Sequence, residues 1–203
     1  GAGVQEAANH RPGGQALAVH QLEGLGVGLA IALAGIVASQ GVQAIAVHRP
    51  GHRDARMAVG LDLSQNMLNI ARAKVAQAGV GKAELRHGDI FATRLPSQSA
   101  DLVLVHQVLH YLADPATAIN EAARLVMPGG KLLIIDFARH DLEELREEHQ
   151  HRRLGFTDAE INGWLADAGL RASAPIALPP DKDGLTVLIW TAVRPADARR
   201  SVA

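Results

Sequence analysis

The chain has 203 residues, enough for one domain with a sizeable core, and its 48% hydrophobic and 20% charged content is that of an ordinary globular protein. A formal net charge of -1 gives no electrostatic pull toward nucleic acid or an acidic membrane surface. There is no cysteine, which excludes a disulfide framework, a thiolate metal site and a thiol nucleophile, and fits a cytoplasmic location; the ten histidines show no metal-ligand spacing, so no metal is expected.

Residues 1–57 differ from the rest. From Gly1 to Arg56 there is no lysine, and the only acids are Glu6, Glu23 and Asp54. Gly24 to Val47 is uncharged and long enough to cross a bilayer, but Ser39, Gln40 and Gln43 interrupt it and no Trp or Tyr flanks it, so a buried strand or helix is expected instead. We treat residues 1–57 as an atypical amino-terminal segment, 58–195 as the main domain and 196–203 as a frayed tail.

From Ala58 onward, strands and helices alternate. Ala58–Leu63 suits a buried parallel strand ending in an acid. Ser64 caps a helix to about Ala78, with Met67, Leu68, Ala71 and Val75 at helical spacing. Ala83–His87 and the strongly apolar Asp101–His106 are the next strands. Asp114 and Pro115 open a helix ending near Val126, Pro128-Gly129-Gly130 makes a turn, and Lys131–Phe137 is a fourth strand. Asp141–Arg153 is expected to be a charged helix, with His140, His149 and His151 solvated on or beside it. Thr157 to Glu160 is a capping box opening a helix to about Ala168. Arg171–Leu178 and Leu185–Val193 are closing strands. The pattern predicts an α/β fold of Rossmann-like, doubly wound type, with a mostly parallel sheet. Ligands bind such sheets at the carboxyl ends of the strands, which selects Asp62, Gly88-Asp89-Ile90, His106-Gln107 and Asp136.

Four segments in order resemble the class I S-adenosylmethionine-dependent methyltransferases. These are Val59–Ser64 with Met67 and Ala71-Arg72, then Gly88-Asp89-Ile90, then Asp101–Leu112, then Leu125–Gly130 before Lys131–Phe137. The run His140–Phe156 is similar to one bacterial subgroup, the methyltransferase domains fused behind winged-helix regulators of metalloregulator type. The resemblance implies S-adenosylmethionine as cofactor, with Asp62 on the ribose diol, Asp89 and the Ile90 backbone on the adenine, and Leu63 and Met67 against the ring. It also implies acceptor-facing positions at His106, His110 and Tyr111. His106 is the first candidate for a base or positioning group and a further cofactor-binding residue. Each residue also has a plainer reading: Asp62 as a helix cap, Asp89 as a turn residue, Leu63 and Met67 as core, His110 and Tyr111 as packing.

One departure concerns the methionine end. The family carries a first strand followed by a Gly-x-Gly-x-Gly loop, which lets the backbone approach the cofactor. It is expected near position 45, where Gly41–Val47 does not match it. The only such triplet, Gly24-Leu25-Gly26-Val27-Gly28, lies far upstream. His48–Arg56 also has the His/Arg/Pro character of a GC-rich glycine-threonine codon run read out of frame. A displaced loop and a shifted reading frame therefore both stay open.

Three functions are compatible with these residues. The first is a methyltransferase acting on a small molecule. The second is a catalytically impaired domain of the same fold with a binding or regulatory role. The third is a nicotinamide-dependent Rossmann enzyme, which leaves Gly88-Asp89-Ile90 and Pro128-Gly129-Gly130 unexplained. Arsenite is excluded as acceptor because no thiol exists to hold it. Low aromatic content argues against a base-stacking nucleic-acid channel. No membrane partner is expected, and a homodimer stays open.

Overall fold

The computed structural model describes residues 44–48, 57–77, 83–180 and 184–196. The strands are β1 (Ala44–His48), β2 (Met57–Asp62), β3 (Ala83–His87), β4 (Ala100–His106), β5 (Val126–Phe137), β6 (Arg171–Ala172), β7 (Ile176–Ala177) and β8 (Val187–Val193). The α-helices are α1 (Gln65–Gln77), α2 (Pro115–Leu125), α3 (Glu144–Glu148) and α4 (Asp158–Asp167). One sheet runs in the order β3-β2-β1-β4-β5-β8-β6, with β7 pairing to β8. β2 to β7 point one way, and β1 and β8 run against them.

The apolar runs explain the middle of this sheet. Val103, Val105, Leu132 and Ile134 join one core cluster with Ile119 of α2, Ile161 and Leu165 of α4, and Trp190 of β8. The alternate residues Leu102, Leu104, Leu133 and Ile135 face the other way and are equally buried. Both faces are covered, which is what continuous rather than alternating apolar strands require.

The expected caps form. Ser64 Oγ accepts from Met67 N at 3.3 Å. Asp114 accepts from Thr117 N, with Pro115 in the first turn. Thr157 and Glu160 close a reciprocal capping box. The far end of α2 is closed by a residue no local pattern identifies: Arg194, just past β8, donates to the carbonyls of Ala123 and Val126.

Three elements differ from expectation. Pro128-Gly129-Gly130 is not a free turn but part of β5, where the pairing with β4 shifts register between Ala100 and Leu102. Backbone bonds from Gly129 N to Arg194 O and from Arg194 N to Gly130 O hold it there. The charged helix shrinks to α3, because residues 151–156 bond to other parts of the chain. Arg152 N and Arg153 N donate to His110 O, and Phe156 pairs with Ala138. The first closing strand splits into β6 and β7; Pro175, which lacks an N–H, lies between them.

β1 is the strand that departs from a doubly wound sheet. It is central yet antiparallel to both neighbours, with Ala44 beside Leu61 and Val105, and His48 beside Met57. The chain therefore enters β1 at the carboxyl edge of its neighbours and leaves at the opposite edge. The Gly24–Gly28 triplet lies outside the described residues. Among the described residues, no helix is long and apolar enough to cross a membrane.

Gly155 locks the segment after β5 onto the sheet. It has φ +71, and a Cβ there would clash with the backbone oxygen of Ala138. Gly155→Ala combines a strained φ with a clash against backbone, so it should lower the unfolding free energy by about 2 kcal/mol or more. A urea unfolding midpoint close to that of the parent chain would show that this contact is not required.

Candidate functional site

The carboxyl edge of the sheet gathers its polar groups in two adjoining parts. The first lies at the ends of β2 and β3. Asp62 pairs with His87 in the strand register, and Gly88 N donates to Asp62 O at 3.1 Å, so the two strands end together. The Asp62 side chain is buried. Its Oδ1 accepts from Ser64 N at 2.6 Å, whereas its Oδ2 is buried with no partner. Burial pushes the Asp62 pKa up, against the opposing pull of the Ser64 N–H and His87. An orphaned acceptor costs about 1–3 kcal/mol, so a donor supplied from outside is the natural complement.

Asp89 starts the loop after β3. Its Oδ1 accepts from Phe91 N at 2.9 Å, and Ile90 turns its side chain into the core. Glu121 of α2 anchors this loop by accepting from both Thr93 N and Thr93 Oγ1, and Arg124 draws its pKa down to about 2. Leu63 is 51% exposed and Phe91 37% exposed, and each follows a strand at this edge; Met67 is half-buried on α1. Large apolar side chains left in water beside an unpaired carboxyl oxygen suit an amphipathic ligand.

The second part lies at the ends of β4 and β5. His106 closes β4 and is buried, with Nδ1 unpartnered. Burial lowers its pKa to about 4, against the attraction of Asp136. Gln107 follows at φ +45, a conformation uncommon for a side-chain-bearing residue, and leads into a 3-10 turn at Leu109–Tyr111. That turn carries His110 into contact with Asp136: Nδ1 and Oδ1 are 2.6 Å apart, and both side chains are buried. Asp136 also accepts from Leu109 N and Phe137 N. Since the carboxylate acts only as acceptor here, the His110 Nδ1–H donates to it.

Rings surround this pair. His110 lies 4.1 Å from Tyr111, 5.0 Å from Phe137 and 4.3 Å from His151, centroid to centroid, and Phe137 and His151 are stacked. His151 was expected in solvent but is buried, because the backbone bonds of Arg152 and Arg153 to His110 O fold its segment inward. Burial, followed by the charge of His110, lowers its pKa to about 4, and its Nδ1 has no partner. His140 is half-buried with Nε2 unpartnered, and His149 is exposed as expected.

Of the residues selected from sequence, Asp62, Leu63, Met67, Asp89 and Ile90 lie together around β2 and β3, and His106 stands on β4. The His110–Asp136 pair was not foreseen, nor were Phe91, Phe137 and His151. The signal for the pair was available in the run Lys131–Phe137, where a carboxyl set in apolar strand must find buried donors. Among the described residues, no cluster of metal-ligating side chains forms.

Residues 37–134 match the family model described as "Methyltransferase domain". A demethylmenaquinone methyltransferase of Listeria monocytogenes is 35% identical over 83 residues, covering 41% of this chain and 35% of that protein. The chain thus spans about a third of the length of that curated relative. Among solved structures, the geranyl diphosphate C-methyltransferase of Streptomyces coelicolor, in complex with Mg2+, geranyl diphosphate and S-adenosylhomocysteine, superposes with a TM-score of 0.57 at 13% identity, covering 67% of this chain and 62% of that one. A 4+2 cyclase, SpnF, does so with a TM-score of 0.57 at 17% identity, covering 68% and 66%.

Two of the buried histidines, His106 and His151, set a pH window for stability. Between the ordinary 6.5 and about 4, the unfolded chain binds protons that folded His106 and His151 refuse. Stability is therefore complete above that window and falls as pH drops through it, by about 3 kcal/mol for each histidine at most. His151→Gln should reduce the slope. Urea midpoints measured against pH check this, and an unchanged slope in His151→Gln would contradict it.

Proposed function

We propose that this chain, which carries a methyltransferase domain of class I fold, binds S-adenosylmethionine at the carboxyl edge of its sheet and transfers the methyl group to a small-molecule acceptor. The carrying observation is the buried, unpartnered Oδ2 of Asp62 beside the Asp89 loop. A ribose hydroxyl supplies the donor this oxygen lacks. Asp89 accepts from the adenine amino group, the Ile90 N–H faces a ring nitrogen, and Leu63 and Met67 flank the ring. When bound, the cofactor supplies a methyl group on positively charged sulfur, whose departure as a neutral thioether needs no acid. What remains for the protein is to hold donor and acceptor in line, which is worth several kcal/mol or more. His106, kept neutral by burial, acts as a positioning group rather than a base. The name of the Listeria relative supports a flat, ring-shaped acceptor. A cytoplasmic bacterial enzyme remains the setting we favour.

A second reading has its own support. β1 runs toward the edge opposite Asp62, and the segment between it and β2 (residues 49–56) holds a single glycine. A domain of this fold that binds without methylating fits that direction, and the cyclase shows that the fold hosts other outcomes. A shifted reading frame upstream of Met57 accounts for the same direction. Translation of the gene in the other two frames separates the two: an acid followed by Gly-x-Gly-x-Gly in either frame supports the shift, and its absence favours the non-methylating domain.

Titration with S-adenosylhomocysteine tests the main reading. One saturable site is expected, and Asp62→Asn should weaken binding about ten- to a hundredfold, the worth of one or two charge-assisted hydrogen bonds. No heat of binding in the parent chain would overturn the proposal.

A further inference from the structure

The chain after β5 leaves the sheet and returns to it as a closed strap. Its ends are tied at the neck: Arg139 N donates to Phe156 O, His140 N donates to Leu154 O, and Ala138 and Phe156 form a bridge. Between Arg139 and Gln150 no residue is buried, α3 included. A segment that buries so little apolar surface has little of its own to hold it down. Its hold comes from the next residues. His151 is buried, with its ring stacked on Phe137 and 4.3 Å from the ring of His110, and Arg152 N and Arg153 N donate to His110 O. Left-handed backbone flanks this point: Gln150 at φ +58 immediately before it, and Gly155 at φ +71 at the neck. For Gln150 that conformation is uncommon and persists only where the surroundings impose it.

We propose that His151 is the latch of this strap, holding residues 139–153 shut over the ends of β4 and β5 while its ring is neutral and releasing them when the ring is protonated. Such an opening does not depend on which ligand the edge binds. The chemistry at the ring gives its direction. In the cationic ring both nitrogens carry hydrogen, so Nδ1, buried with no partner, would become a buried donor without an acceptor. Of the groups that face it, His110 and Tyr111 of the 3-10 turn and His140 and His149 of its own segment offer no negative charge. Asp136 of β5 does, but its oxygens already accept from Leu109 N, His110 and Phe137 N. Arg146 of α3 is occupied by Glu143 and the Arg152 carbonyl. Burial therefore prevails. The ring, at about 4 in the closed strap against an ordinary 6.5, favours the open form as pH falls between those values.

Hydrogen exchange of the full chain, read at single amides and corrected for the intrinsic rate at each pH, tests this. The Arg152 and Arg153 N–H groups should exchange faster than the amides of Leu132 to Ile135 in β5, because the strap opens without the sheet. Their protection should fall about twentyfold from pH 7 to pH 5, the ratio given by a group that moves from about 4 to 6.5 on opening. In His151→Gln most of that fall should disappear. Equal protection in strap and sheet, or strap protection that does not change with pH, overturns the proposal. A His151→Gln chain that keeps the full fall removes His151 from the role. If that variant does not fold, the ring resonances of His151 in the parent chain decide the assignment: they should titrate well below an exposed histidine, and a midpoint near 6.5 overturns it.

Discussion

A carboxyl group with no exposed surface organises one half of this edge. Asp136 sits at the end of β5 and receives three donors: Leu109 N, the His110 ring and Phe137 N. Burying a carboxylate is expensive unless every lone pair is occupied. Satisfying it requires the chain after β4 to turn sharply and bring Leu109 and His110 back over β5. Gln107 takes its positive φ at that turn, and the 3-10 turn follows.

The segment after β5 depends on the same arrangement. His110 O accepts from Arg152 N and Arg153 N, and the bridge between Ala138 and Phe156 closes the loop. That closure seats His151 against His110 and takes solvent from both. The lowered pKa of His151, the shortened α3 and the ring cluster are therefore consequences of one backbone path. On the other half of the edge, Asp62 has no such set of donors. One of its oxygens is satisfied by Ser64 and the other has no partner. Two buried carboxyls at the same edge are thus treated in opposite ways, one saturated from within and one left open.

The direction of β1 gives the sheet its unusual centre. Antiparallel pairing satisfies backbone groups as well as parallel pairing does, so hydrogen bonding alone does not oppose it. Its consequence is topological: the chain leaves β1 at the edge opposite Asp62. The grouping of Asp62, the Asp89 loop and Glu121 stands on β2, β3 and α2 and is set by β2 and β3 ending together, not by this strand.

Much of the fold was legible in the chain. Apolar strand runs, the Asp114-Pro115 start and the Thr157–Glu160 capping box are local patterns, and local patterns survive because caps and strand periodicity act over three or four residues. The positions of Asp62, the last residue of β2, and Asp89, two residues past β3, follow from the same local strand pattern. What spans long separations was not. The pairing of His110 with Asp136, the burial of His151, the capping of α2 by Arg194 and the reversed β1 all join residues far apart in the chain. Local pattern places most of the strands and helices and the acids at their ends. Which of those acids is satisfied and which is left open follows from donors brought in from other segments by the closing of the sheet, a long-range outcome that no local pattern carries.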